Sequence, residues 1–115
     1  MDTPGWVRNE AEWEDLCRQI VAVSTAVIRA QMSLTEGARL LAALSHEVRA
    51  ADDPGFLTFI AIDSETDRFP VGEVRAKWLP SALPALDAER VQIESRFLET
   101  AQRASRQLLA RYSRA

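Results

Sequence analysis

A chain of 115 residues with 47% hydrophobic and 27% charged side chains has the size and composition of one folded domain. Its net charge of −3 lacks the basic excess of a nucleic-acid binder, and its lone cysteine, Cys17, excludes an internal disulfide and fits a reducing compartment. No apolar run approaches the ~20 residues of a membrane-spanning helix. The expectation is a single helical domain over residues 1–115, cytoplasmic, with no nucleic-acid or membrane partner.

The opening, MDTPGWVRNEAEWED, has neither a cationic start nor an apolar core, so it does not read as a secretory signal. Thirteen Arg against one Lys, beside eighteen Ala, read as the codon bias of a GC-rich bacterial genome. Thr3, Pro4 and Gly5 predict a flexible lead-in over residues 1–8. A first helix starts at Asn9, a good N-cap, with Glu10, Glu12, Glu14 and Asp15 crowding the positive end of its dipole. Trp13, Leu16, Cys17, Ile20, Ser24, Val27 and Ile28 step by three and four along one face, which Val21 and Val23 widen. Ser33-Leu34-Thr35-Glu36 has capping-box spacing and opens a second helix. Its stripe is Leu34, Leu41, Leu44 and Val48, and Gly37 is placed where the first helix crosses. His46, near its end, reads as solvent-facing. No second histidine exists to build a metal site with it.

Residues 52–80 are where the helical period breaks. Asp52-Asp53-Pro54 reads as an N-cap followed by Pro at the first helical position. Phe56-Leu57-Thr58-Phe59-Ile60-Ala61-Ile62 is then a short buried helix or an equally apolar strand. Helix is favoured because no second strand is evident to pair with it. Residues 63–72 read as an acidic Pro/Gly loop. A calcium loop counted from Asp63 would need Gly and Glu where Arg68 and Val74 stand, so no metal is expected. Trp78 first reads as a core residue packed under the last helix and otherwise as a partner anchor. Ser81 is the expected cap of a final helix over Ala82–Tyr112, with Pro84 tolerated in its first turn. Its core stripe is Leu86, Ile93, Phe97, Ala101, Ala104, Leu108 and Tyr112. Its other face carries mixed charge, and the closing run Arg103, Arg106, Arg111 and Arg114 suits the negative end of the dipole. A helix of roughly 30 residues spans ~45 Å and can overhang the domain, leaving dimerisation through its end open, with Leu108 and Tyr112 as contacts.

The expected architecture is therefore all-α: a compact bundle of three long helices, one or two short ones and the acidic loop. Ile62-Asp63-Ser64-Glu65-Thr66-Asp67, Pro70-Val71-Gly72-Glu73-Val74-Arg75 and Trp78, with Ala82-Leu83 and the Glu89 region, resemble a family of small bacterial proteins of unassigned function carrying an IDSETD…LPVGEVR…W…AL signature. The resemblance covers residues 53–90. It departs at Phe69, where Leu is usual, and at Leu79-Pro80, where the family is more polar. It implies a shared fold and loop and no chemistry. Small acidic bacterial proteins of this look are often toxin-neutralising immunity proteins, an association rather than a derivation.

No Ser/His/Asp, Cys/His or phosphate-binding motif is present, so no catalytic residue and no cofactor is expected. The reading is a non-enzymatic binding protein of immunity type, whose acidic segment complements the basic cleft of a toxin. Asp63, Glu65, Asp67 and Glu73 would supply charge, with Arg75 and Trp78 as anchors. The alternative is a structural homodimer or scaffold subunit built on the last helix.

Overall fold

Four α-helices form, the first three of them where the capping signals place them. In the computed structural model, which describes residues 3–113, they are α1 (Glu10–Ile28), α2 (Leu34–Glu47), α3 (Pro54–Thr66) and α4 (Leu83–Tyr112). A 3₁₀ helix, Gly72–Lys77, and a 3₁₀ turn, Pro80–Ala82, link α3 to α4, and there is no strand among the described residues. The starts of the first three helices are explained by side chains that satisfy otherwise unpaired backbone N–H groups. Asn9 Oδ1 accepts from Glu12 N–H at 3.2 Å, and Ser33 Oγ accepts from Glu36 N–H at 3.1 Å. Asp53 Oδ1 accepts from Gly55 N–H at 2.9 Å, with Pro54 in the first turn.

The last helix begins differently from the expectation. Ser81 does not cap it; α4 starts at Leu83 behind Ala82, which makes no side-chain cap. The preceding 3₁₀ turn, with Ala82 N–H on Leu79 C=O at 2.9 Å, leads into it instead. Residues 56–62 are helical, and the element is longer than expected, 13 residues against 14 for α2. Asp63–Thr66, expected in a loop, are its last turn, so the non-helical link before Gly72 is only residues 67–71.

α1 packs on α2 and α4, and α3 packs on the same two neighbours, so the helices close a ring around one core. Trp13, Cys17, Ile20 and Val27 from α1 meet Leu41, Leu44, Phe56, Phe59, Ile62, Ala101 and Leu108 there. The α1–α2 crossing depends on Gly37: a Cβ at that position would lie 2.5 Å from Val27 Cγ2. Val27 is β-branched and buried, so it has little freedom to yield. At the lower end Trp6 packs edge-on against Trp13, with ring centroids 5.8 Å apart, and Arg49 lies 4.4 Å from the Trp6 centroid.

Burial divides α4 into two halves. Its fully buried residues are Ala101, Ala104, Ser105, Leu108 and Tyr112, all in the C-terminal half, while Leu86, Ile93 and Phe97 are half-buried. Leu108 and Tyr112 are therefore core, not the exposed dimer contacts that a free helix end would offer. The overhang is at the other end. It accounts for an extent of 50 × 28 × 23 Å and a radius of gyration of 15.0 Å, against ~13 Å for a compact chain of this length.

Candidate functional site

Between α3 and α4 the chain runs as a strap, residues 67–82, whose ends are fixed and whose middle faces solvent. Phe69 and Pro70 are buried and seat it. Arg39, from α2, donates from Nη2 to the carbonyls of Thr66 and Phe69, both at 2.7 Å, so one side chain satisfies the α3 C-terminus and the start of the strap. Arg68 lies 3.7 Å from Glu89 on α4, its guanidinium 4.1 Å from the centroid of the Phe69 ring. Gly72 has φ +67°, a left-handed conformation that a side chain would strain, and there the chain turns into the 3₁₀ helix.

Arg75 then clamps the strap to α4. Its fork meets Asp87 with two parallel bonds, Nη1 to Oδ1 at 2.7 Å and Nη2 to Oδ2 at 2.9 Å, and Nη1 also donates to Pro70 C=O at 3.2 Å. Such planar pairing fixes geometry more firmly than a single contact. The hydrogen bonds from Arg75 hold the Asp87 carboxyl below the ordinary carboxylate range, and the same contact keeps Arg75 protonated. One turn along α4, Arg90 donates to both carboxylate oxygens of Glu94, at 3.0 and 2.9 Å. Glu94 Oε2 in turn accepts from Thr35 N–H at 3.0 Å and Thr35 Oγ1 at 2.7 Å. A carboxylate at the first turn of α2 suits the positive end of that helix. The polar chain ties the exposed half of α4 to α2.

From Gly72 to Ser81 every residue but Arg75 is exposed. Val74 is 43% exposed, Trp78 40% and Leu79 73%, three large apolar side chains within six positions. Scattered exposed apolar residues need no explanation; these three share one short segment that Arg75 and Arg39 hold. The expectation that Trp78 is a core residue under the last helix is not met: Trp78 is 40% exposed, while Arg75 is half-buried against Asp87.

The six candidate residues do not form one patch. Asp63 is on α3, half-buried, its carboxylate 3.7 Å from Arg39 Nε, and Arg75 is committed to Asp87. Glu65 on α3, Asp67 at its C-cap and Glu73 in the 3₁₀ helix are exposed and make no ion pair among the described residues. Trp78 shares its exposed segment with Val74 and Leu79, neither of which was singled out by its position in the sequence. Arg39 and Asp87 also escaped notice, because their partners lie 27 and 12 residues away.

Among the described residues no group of three or more His, Cys, Asp or Glu side chains is placed to hold a metal ion, and no helix is long and apolar enough to cross a membrane. Compared with known proteins, the chain matches no family model, no curated protein and no solved structure.

Proposed function

We propose that this chain is a non-enzymatic binding module of immunity type, which neutralises a protein partner by docking it on the strap. The observation that carries the reading is the exposure of Trp78 and Leu79 on a segment held by the Arg75–Asp87 fork and by Arg39. A fixed aromatic anchor loses little conformational freedom on binding, and tryptophan is among the residues that dominate interface energies. Glu65, Asp67 and Glu73 are exposed along the chain that leads into this segment, and their charge would suit a partner with a basic surface such as a nucleic-acid-degrading toxin. Rim charges act mainly on association rate and its salt dependence, while the apolar anchor sets the dissociation rate.

The test is a photo-crosslinking amino acid at Leu79, with the same group at Leu57 as control, since Leu57 is exposed on α3. The reading expects one defined protein captured from position 79 and not from 57, and that protein, purified, to bind the wild-type chain. Equal labelling at both positions, or none at 79, contradicts it.

A further inference from the structure

We propose that α1 is a detachable helix, which swings away from α4 about the link at residues 29–33 while α2, α3 and α4 stay packed. α1 and α4 run antiparallel: Trp13 packs against Tyr112 with ring centroids 6.4 Å apart, whereas Val27 lines a groove with Val91 and Leu98 near the other end. Ser24 stands about three turns beyond Trp13, and Ser105 about two turns before Tyr112. Each pair therefore shares one helix face, and both faces are buried.

On these faces the polar groups are unmet. Trp13 Nε1, Ser24 Oγ, Ser105 Oγ and the Tyr112 hydroxyl are buried with no hydrogen-bond partner among the described residues. Elsewhere in the core the hydroxyls are bonded: Ser45 donates to Ala42 C=O at 2.6 Å, Thr66 to Ile62 C=O at 2.7 Å, and Thr35 to Glu94 at 2.7 Å. Arg90 Nε, also buried and unpartnered, belongs to a guanidinium already bound to Glu94. A buried polar atom without a partner carries a desolvation cost that water removes when the site opens. Apolar burial of Trp13, Ile20 and Val27 holds the seam shut against that cost.

The polar ties between helices bypass α1. Arg39 joins α2 to the end of α3, Asp53 at the start of α3 pairs with Arg111 of α4, and Thr35 of α2 holds Glu94 of α4. Among the described residues the ion pair that α1 makes, Arg18 with Asp15 at 3.5 Å, lies within the helix. The guanidinium of Arg49 rests on Trp6, ahead of α1, but both residues are exposed, which keeps that contact weak. At the other end of α1 the link to α2 is strained. Ala30 has φ 54°, a left-handed conformation that its Cβ disfavours, so a change of backbone there relieves strain. Opening at this hinge brings Cys17, 2% exposed on α1, to solvent.

Native-state hydrogen exchange of the full chain, with iodoacetamide labelling of Cys17 followed by mass spectrometry, tests this in urea below the unfolding transition. The α1 amides and the Cys17 thiol should share one opening, about tenfold or more as frequent as the one that exposes the α3 amides, with a weaker urea dependence. Ser24→Ala/Ser105→Ala removes two unpartnered hydroxyls and should slow Cys17 labelling about tenfold or more. Ser45→Ala, which removes a bonded one, should not slow it. Exchange of α1 and α3 at one frequency and with one urea dependence overturns the proposal, and this wild-type comparison needs no variant. Cys17 labelling only through global unfolding, or labelling unchanged in Ser24→Ala/Ser105→Ala, overturns it as well. None of these outcomes bears on the strap as a docking surface.

Discussion

Tyr112 is 1% exposed, packs against Trp13 and Phe56, and places a phenolic hydroxyl in the core with no hydrogen-bond partner among the described residues. Burial pushes its pKa above the ordinary tyrosine value, and the nearby Arg111 opposes that shift only in part. A raised pKa means that the folded state prefers the neutral phenol. Its contribution to stability is therefore complete below about pH 10 and is lost as pH rises through the folded value. Tyr112→Phe should unfold in urea no earlier than wild type and retain more of its stability above pH 10, since it removes an unpaired polar atom and keeps the ring. A loss exceeding about 1 kcal/mol would show that the hydroxyl contributes a bond.

At this scale the sequence is informative where contacts are local. The caps at Asn9, Ser33 and Asp53 act on N–H groups two or three residues away, and all three are readable. The C-terminal ends of α1 and α2 are not. Each closes with a left-handed residue, Ala30 and Arg49, both at φ 54°, where glycine is the usual signal. Gln31 N–H on Ala26 C=O and Ala50 N–H on Ser45 C=O, both at 2.8 Å, complete the two turns. Nothing in the side chains of Ala30 or Arg49 announces that geometry.

Between elements, Gly37 and the Arg75–Asp87 fork set the two geometries that matter most. Gly37→Ala gains up to ~1 kcal/mol of helix propensity but drives a methyl group into Val27, and forced overpacking costs about 1–3 kcal/mol. The variant should therefore be less stable by chemical denaturation, and Val27→Ala should be less destabilising in the Gly37→Ala background than in wild type. Additive effects would place the strain elsewhere. Asp87→Asn removes one charge of the fork, and amide hydrogen exchange across residues 67–82 should speed up while that of α1 stays unchanged. Because the Asp87 pKa is depressed, the clamp is complete above the unfolded carboxyl value of ~3.9 and is lost as pH falls through the lower folded value. Exchange across the strap that is equally slow in wild type and Asp87→Asn would mean that Arg39 and Phe69 alone hold it.

The helix stripes of α1, α2 and the C-terminal half of α4 were legible because one face of each is core. The strap was not. Its acids and breakers read as a solvated loop, and the contacts that order it join residues 12, 27 and 30 positions apart. Trp78 was misplaced for the same reason: apolar character says that a residue prefers burial, whereas the clamp decides which residue of the segment gets it.

For the molecule as a whole, the consequence is an uneven division of labour. The ring formed by α1–α3 and the C-terminal half of α4 holds the core, and the other half of α4 holds the strap through the Arg68–Glu89 and Arg75–Asp87 pairs. The most direct test of that account is the affinity of the protein captured at position 79, measured by isothermal titration against wild type, Trp78→Ala and Leu57→Ala. Docking on the strap predicts that Trp78→Ala weakens binding roughly 30-fold or more, about 2 kcal/mol, while Leu57→Ala stays within a few-fold of wild type. A Trp78→Ala variant that folds normally and binds as tightly as wild type would contradict it.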